Sequence, residues 1–238
     1  MNLLIEIFNK VLFQPLFNAL ILLYNFLPGN DFGIAVIALT ILIRLALYPL
    51  MAQSLKSQKV FSQLQPKIKE IQEKFKDNKS KQAEEMVNLY KEAKMNPLSG
   101  FLPLLIQLPL LIALYQVFWK GLQPEAMNNL YAFIPNMGQI DPSFLGIINL
   151  SQASMFLAVL AGTFQFIQTK TMNPKSKKKG KTNKMTDMMQ KQMLYFFPFF
   201  TIVILLRLPA AIALYWIVTS LFSIGQQRSI NKNHVESS

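Results

Sequence analysis

The sequence predicts an all-α polytopic membrane protein with five transmembrane helices, and two observations support this prediction. The 238 residues are 52% hydrophobic and only 15% charged, yet the formal net charge is +12. Apolar and basic residues must therefore occupy separate blocks of the chain, as they do in multi-pass membrane proteins. The chain has no cysteine and a single histidine, His234. We therefore expect no disulfide framework, no metal site and no cofactor.

Five apolar runs approach the length of about 20 helical residues that crosses the hydrocarbon core of a bilayer. The predicted spans are 32–51, 98–119, 145–168, 192–207 and 209–226. The last two nearly touch, which predicts an antiparallel pair joined by a tight turn around Arg207 to Pro209. Proline is tolerated at the start of a helix, where Pro209 would lie.

The basic residues assign the two sides of the membrane. Of the 24 Lys and Arg, ten lie in 52–97, eight in 169–191 and two after residue 225. Five spans place these twenty charges on one side, which the positive-inside rule makes cytoplasmic. The segment before the first span and the loop 120–144 are then predicted outside, and the tail 227–238 inside.

Residues 1–31 are apolar but are interrupted by Gln14, Pro15, Asn18 and Asn25. Polar groups along part of a helix favour an N-terminal interfacial helix on the outer surface of the membrane. The alternative is a sixth span, which would place the N-terminus inside. A basic start followed by a small-residue cleavage site is absent, so a cleaved signal peptide is not expected.

Residues 52–97 predict a cytoplasmic antiparallel helical hairpin that Pro66 can kink. Apolar residues recur at helical spacing on either side of a polar break at 76–80. They are Leu55, Phe61, Leu64, Ile68, Ile71 and Phe75 before the break, and Ala83, Met86, Val87, Tyr90 and Ala93 after it. The hairpin either docks a partner or is a solvated element whose lysines enforce topology and contact anionic lipid.

The second basic segment, 169–191, has no apolar periodicity, which is typical of a cytoplasmic loop. Its eight lysines accompany one acid, so it can attract anionic lipid or ribosomal RNA without reading a sequence. No recognition helix or aromatic stacking platform accompanies these lysines, and sequence-specific nucleic-acid binding is not expected. Enforcing topology is the alternative role.

One charge, Arg44, lies inside the first predicted span. An arginine near the centre of a bilayer costs roughly 2.5–3.5 kcal/mol by insertion scales. At 3.6 residues per turn the small and polar residues of this span share one stripe. The stripe consists of Gly33, Ile37, Thr40, Arg44 and Tyr48.

No span supplies a counter-ion for Arg44, because every acid of the sequence lies outside the five spans. A buried cation without an anion is unfavourable, so we expect a hydrophilic groove lined by amides and hydroxyls. The remaining spans offer such side chains, among them Gln107, Asn149, Gln152, Thr163, Gln165, Gln168, Tyr215, Trp216, Thr219 and Ser220. Two alternatives stay open: Arg44 snorkels towards the cytoplasm, and Gln107 and Asn149 are interhelical hydrogen-bonding groups.

Four segments resemble the YidC-type membrane protein insertases, and they follow the order of that family over nearly the whole chain after residue 10. They are GIAVIALTILIRLALYPLMAQSLKSQK, LQPKIKEIQEKFKDN, LYKEAKMNPLSGFLPLLIQLPLLIALYQVF and FPFFTIVILLRLPAAIALYWIVTSLFSIGQQ. The resemblance implies a minimal five-span form with an outside N-terminus and a groove open to cytoplasm and lipid.

The resemblance also assigns roles to single residues. Arg44 in TILIRL corresponds to the family's groove arginine, Gln107 in LIQLP to a groove glutamine, and Trp216 in ALYW to a groove aromatic. Helical spacing adds three further candidates for the substrate groove. These are Thr40, Tyr215 and Thr219.

The expected function is insertion and chaperoning of nascent membrane proteins in the bacterial plasma membrane, without enzymatic chemistry. The ribosome, the Sec translocon and anionic lipids are candidate partners, and a monomer is compatible with the sequence. An assembly scaffold without insertase activity is the first alternative. A small transporter is the second, although repeated halves and a coupling carboxylate in the spans are not visible.

Overall fold

A computed structural model describes residues 2–96, 102–136, 138–172 and 192–235. Most of the predicted basic loop 169–191 lies outside the described residues, as do the ends of several predicted segments. The described part is mainly helical, with one short β-hairpin.

Nine α-helices are described. They are α1 (Asn2–Phe8), α2 (Gln14–Phe26), α3 (Phe32–Ala46), α4 (Tyr48–Lys74), α5 (Lys79–Glu92), α6 (Leu102–Lys120), α7 (Met155–Met172), α8 (Phe197–Leu205) and α9 (Ala210–Val235). A π-helical turn, Asn9–Phe13, joins α1 to α2, and a second, Gln192–Phe196, precedes α8. The strands β1 (Ser143–Phe144) and β2 (Ile148–Asn149) pair antiparallel, with Phe144 opposite Ile148.

The bundle has two distinct ends. At one end, which we call the loop end, residues 121–154 cover the start of α3, α7 and α9 and the end of α6. The backbone N–H groups of Ala210 and Ala211 donate there to the carbonyls of Gln152 and Leu150, at 2.8 and 3.1 Å. These bonds satisfy donors that the first turn of α9 leaves unpaired. At the opposite end, the hairpin end, α4 and α5 extend from the bundle.

Small residues allow close packing between α7, α8 and α9. Ala158 and Ala161 of α7 and Ala213 of α9 are at most 1% exposed. A Cβ atom added at Gly162 would lie 2.3 Å from Cγ1 of Ile202 in α8. Small side chains let helix backbones approach in membranes, where hydrophobic association between helices is weak.

The N-terminal helix is attached to the loop end through the polar residues that interrupt its apolar sequence. The Asn18 amide donates to the Asn129 carbonyl at 2.9 Å, and its oxygen accepts from the Tyr131 N–H at 2.7 Å. Asn25 donates to the Pro135 carbonyl at 2.9 Å. The polar positions of this helix therefore satisfy backbone groups of the loop 120–144.

The predicted start of the third span at residue 145 is wrong. Residues 143–149 form the β-hairpin, and α7 begins only at Met155. Asn149 and Gln152, which the sequence placed among the polar groups of the spans, therefore lie in the loop end. Phe144 packs so closely on Gly33 that an added Cβ would lie 2.1 Å from the aromatic ring. This contact packs the β-hairpin against the first turn of α3.

The first predicted span, 32–51, is bent rather than straight. Helix α3 ends at Ala46 and α4 starts at Tyr48, with 65° between the two axes. Pro49 lies in the first turn of α4, where its missing N–H is tolerated and where it cannot continue α3. Helix α4 then runs through Pro66 to Lys74 without interruption.

Helices α4 and α5 pack against each other after a turn at 75–78. The side-chain amide of Gln82 donates to the Gln72 carbonyl at 3.0 Å, and Ile68 and Leu89 are buried. The Asn78 side chain caps α5 by accepting from the Lys81 N–H at 3.0 Å. Helices α4 and α5 thus form a helical pair, and its assignment as the cytoplasmic hairpin 52–97 stays a prediction.

Among the described helices, Leu3–Phe26 and Ala210–Ile230 are long and apolar enough to cross a membrane, and the bent pair Phe32–Ala46 and Tyr48–Gln58 adds a third if it forms one span. Leu105–Lys120 and Leu194–Leu205 are shorter apolar helices. Helix α7 has 18 residues, but Gln165, Gln168 and Lys170 lower its hydropathy. The number of five spans therefore stays a prediction.

Candidate functional site

Arg44 lies on α3 at the last turn before the bend, and its side chain points into the bundle. Only 7% of the residue is exposed. Its Nε donates to Oγ1 of Thr219 on α9, and Nη2 donates to Oε1 of Gln107 on α6, both at 3.3 Å. These distances are at the long end for N–H···O hydrogen bonds, so the contacts hold the guanidinium only weakly.

Gln107 is oriented by a second hydrogen bond. Its Nε2 donates to the hydroxyl of Tyr215 at 2.9 Å, and Tyr215 is fully buried. An amide presents its oxygen on one side and its N–H₂ on the other. Because Tyr215 takes the N–H₂ side, the amide oxygen of Gln107 faces Arg44. The four side chains of Arg44, Gln107, Tyr215 and Thr219 thus join α3, α6 and α9.

A partly open cavity of about 320 Å³ lies between this cluster and the hairpin end. It contains one charged group, Arg44, and no carboxylate among the side chains that the structure describes around it. Five helices contribute to its wall. The lining residues are Arg44, Met51, Leu55, Gln58, Gln107, Gln165, Gln168, Thr169, Trp216, Thr219, Ser223 and Gln226.

The electrostatics of the cavity are unbalanced. The hydrogen-bond partners of Arg44 are neutral, and a buried charge without a counter-ion is costly unless water or a ligand solvates it. On the opposite wall, Oε1 of Gln165 is buried without a hydrogen-bond partner. The cavity therefore offers a cation and a free amide oxygen to whatever enters it.

Most of the predicted groove residues meet in this place. Arg44, Gln107, Trp216 and Thr219 line the cavity, and Tyr215 lies directly behind Gln107. Their contact with a substrate stays a prediction.

Thr40 does not belong to this group, although the helical stripe placed it there. It is 1% exposed, and its hydroxyl donates to the Val36 carbonyl of its own helix at 2.6 Å. A threonine that bonds back to its helix turns its oxygen away from the cavity. The stripe also ends at Arg44, because the bend carries Tyr48 onto the ring of Phe222, with ring centroids 6.5 Å apart.

Several residues that line the half of the cavity nearest the hairpin end are not among the groove residues that the sequence predicts. Met51, the last residue of the first predicted span, and Leu55 and Gln58 beyond that span come from α4, and Ser223 and Gln226 come from α9. A signal was present, because Trp216, Thr219, Ser223 and Gln226 follow one another at intervals of 3, 4 and 3 residues. Such intervals place them on one face of a helix.

A helical bundle with apolar helices and a cationic cavity inside it defines a class: polytopic membrane proteins with a polar interior. Comparison with known proteins narrows this class. The family model described as "60Kd inner membrane protein" matches residues 22–237. The chain is also 35% identical over 212 residues to membrane protein insertase YidC 1 of Listeria monocytogenes, an alignment that covers 87% of this chain and 67% of the relative.

Two further relatives with the same name are similar to the chain. The chain is 32% identical over 214 residues to membrane protein insertase YidC of Histophilus somni, covering 90% of this chain and 35% of the relative. It is 35% identical over 208 residues to YidC of Francisella tularensis subsp. novicida, covering 87% and 34%. The chain belongs to the 60Kd inner membrane protein family, the family of the YidC insertases, and is a bacterial membrane protein. It spans about two thirds of the Listeria relative and about one third of the other two.

Proposed function

We propose that this protein inserts nascent hydrophobic segments into the bilayer by receiving them in the cavity around Arg44. The observation that carries the proposal is a buried arginine whose two side-chain partners are neutral and lie 3.3 Å away. A segment with an acidic flank can supply the missing negative charge. No covalent step is needed, because moving an apolar helix from water to lipid is itself favourable.

Insertion requires that this attraction is strong enough to recruit and weak enough to release. Two unit charges about 6 Å apart at an effective dielectric constant of about 20 attract by roughly 3 kcal/mol. A carboxylate in the cavity would replace the long contacts from Arg44 to Gln107 and Thr219. The transient contact then ends when the substrate's apolar helix becomes buried in lipid, which provides the larger share of the free energy.

The position of Arg44 favours this role over simple snorkelling. A snorkelling arginine directs its guanidinium towards the nearest aqueous surface. Here the guanidinium points across the bundle to α6 and α9, where Gln107 is itself held by Tyr215. Arg44 therefore has polar surroundings inside the bundle, in the cavity, without reaching towards the aqueous surface.

We assign the loop end to the outer side of the membrane and the hairpin end to the cytoplasm. The charge asymmetry supports this orientation, since ten Lys lie in 52–97. The cavity then faces the side from which nascent chains arrive, with Gln58 and Gln226 near its entrance.

The N-terminal helix is assigned to the outer membrane surface. Gln14 and Asn18 both donate to the Asn129 carbonyl, and Asn25 donates to that of Pro135. About 16 Å of helix, from residue 14 to residue 25, thus follows the outer loop. A helix that crossed the bilayer would contact that loop at one end only. This arrangement supports the interfacial position over a sixth span.

Partners other than nascent membrane proteins are predictions from charge and resemblance. The lysines of the hairpin α4–α5 and of the segment 169–191 would bring the ribosome, anionic lipid or the Sec translocon to the cytoplasmic side.

Reconstitution tests the proposal. The purified chain is placed in liposomes, and a single-span substrate with an acidic outer flank is translated in their presence. Protease protection of the outer flank measures insertion. We expect protein-dependent protection, while empty liposomes and liposomes with an unrelated five-span protein serve as controls. Protection no greater than in these controls would favour a scaffold that only binds an assembly partner.

A further inference from the structure

The tip of the β-hairpin has a turn geometry that its sequence does not favour. Residues 144–147 form a β-turn closed by a hydrogen bond of 3.0 Å from the Ile147 N–H to the Phe144 carbonyl. Its two central residues, Leu145 and Gly146, have φ of 53° and 66°. Positive φ at both central positions is the pattern of type I′ turns, in which Asn-Gly is strongly preferred.

Leucine is an unusual residue at the first of these positions. Its Cβ makes the left-handed region costly, whereas the side chain of Asn or Asp hydrogen-bonds locally and tolerates it. A specific contact holds the conformation here: the Leu145 N–H donates to Oδ2 of Asp31, whose other oxygen caps α3 by accepting from the Ile34 N–H at 2.8 Å. The fold therefore fixes a leucine where a polar turn residue would fit with less strain.

The side chains at the tip do not pack into the protein. Leu145 is 61% exposed and Ile147 is 82% exposed. Packing within the bundle therefore does not account for two aliphatic residues at this place. In a loop surrounded by water, both would add apolar surface without any gain.

The start of the next helix, α7, also exposes apolar residues. Met155 and Phe156, in the first turn of α7, are 73% and 67% exposed. They lie at the same end of the bundle, because α7 begins at the loop end shortly after the β-hairpin. These two residues, like Leu145 and Ile147, are apolar side chains that the described part of the bundle does not cover.

We propose that the tip of this hairpin, Leu145 and Ile147, inserts into the outer leaflet and anchors the loop end in lipid. A protein partner fits the tip less well, because a stable interface buries about 800 Å² on each side and the tip offers two aliphatic side chains. Burial of each in lipid favours the anchored position by roughly tenfold or more. The proposal depends on the chain spanning the membrane and is independent of insertase activity.

The lack of cysteine makes a direct test available. Single variants Ile147→Cys and Leu145→Cys of the full chain are labelled with a nitroxide and reconstituted in liposomes without substrate. The control is Gln139→Cys, an exposed polar position of the same loop end. Electron paramagnetic resonance then compares collisions with oxygen, which partitions into lipid, and with a water-soluble nickel chelate.

We expect the oxygen-to-nickel collision ratio at residues 145 and 147 to exceed that at residue 139 severalfold, because oxygen partitions into lipid and the chelate does not. Ratios equal to the control would place the tip in water and overturn the proposal. Protection from both reagents would place it against protein, either a second copy or a partner, and would overturn it as well. Because Ile147 lies outside the positive-φ pair, its label reports correctly even if Leu145→Cys alters the turn.

Discussion

Replacing Arg44 by alanine separates its proposed role in substrate recruitment from a role in stability. In the wild-type protein Arg44 is 7% exposed, and its guanidinium makes two hydrogen bonds of 3.3 Å to neutral groups. Removing it deletes these bonds, each worth at most about 1–2 kcal/mol at good geometry and less at this length. The substitution also removes a buried charge that has no counter-ion among the described side chains, which offsets that loss. We expect the thermal stability of Arg44→Ala in detergent to stay within about 1 kcal/mol of the wild type.

The effect on insertion should be larger and should depend on the substrate. At about 6 Å and an effective dielectric constant of about 20, Arg44 attracts one substrate carboxylate by roughly 3 kcal/mol, and water in the cavity reduces this to about half. Since about 1.4 kcal/mol corresponds to a factor of ten, Arg44→Ala should slow the insertion of an acid-flanked segment by about 10- to 100-fold. For a segment with Asn and Gln in place of the acids, Arg44→Ala should change the insertion rate little.

The assay compares initial insertion rates of these two segments into proteoliposomes containing wild type, Arg44→Ala or Arg44→Lys. Lysine keeps the charge but loses the planar fork, so it should retain most of the activity on the acid-flanked segment. Equal rates for Arg44→Ala and wild type on that segment would refute the recruitment argument. Equal loss on both segments, together with a fall in stability, would make Arg44 a structural residue.

Three further predictions concern single contacts. Gln107→Glu places a carboxylate beside Nη2 of Arg44, so the variant should unfold at a higher temperature than wild type yet insert acid-flanked segments about tenfold more slowly, because the internal anion competes with the substrate. Gly33→Ala should lower the free energy of unfolding by about 1–3 kcal/mol, because the added Cβ would lie 2.1 Å from the ring of Phe144. The control Gly225→Ala has no atom within 4 Å of the added Cβ and should raise the free energy of unfolding by about 0.5–1 kcal/mol. Asn18→Ala removes the acceptor of the Tyr131 N–H in the loop 120–144, while Gln14 still donates to the Asn129 carbonyl, and should increase protease cleavage of that loop severalfold.

Each of these has an outcome that contradicts its reasoning. Full activity of the stabilised Gln107→Glu variant would show that Arg44 does not meet substrate charge. Equal effects of alanine at Gly33 and Gly225 would mean that the ring moves away at no cost. For Asn18→Ala, unchanged cleavage with unchanged stability would show that other contacts attach the N-terminal helix, and Asn18→Asp would serve as the variant that keeps one acceptor.

Arg44 was identifiable from sequence as a candidate groove residue because its charge and its apolar neighbours along the chain can be read without knowing the fold. A permanent charge in an apolar run, with no acid in any other run, requires polar surroundings wherever the helices pack. Thr219, a candidate from helical spacing, lines the same cavity as Arg44, and its contact with a substrate stays a prediction. Thr40 failed because helical spacing gives the face of a residue but not the direction of its hydroxyl, which bonds to Val36.

The sequence by itself determined the helical class, the segregation of charge and the presence of an unpaired arginine, because these follow from hydropathy and charge along the chain. Only the tertiary structure decided that α4 leaves α3 at an angle of 65°, that Tyr215 turns the amide of Gln107 towards Arg44, and that residues 143–149 form a β-hairpin. The orientation of Gln107 and the attachment of the β-hairpin to Asp31 depend on contacts between residues distant in sequence. Side-chain orientation and the end of a helix are set by the partner that reaches them, and no local pattern contains that partner.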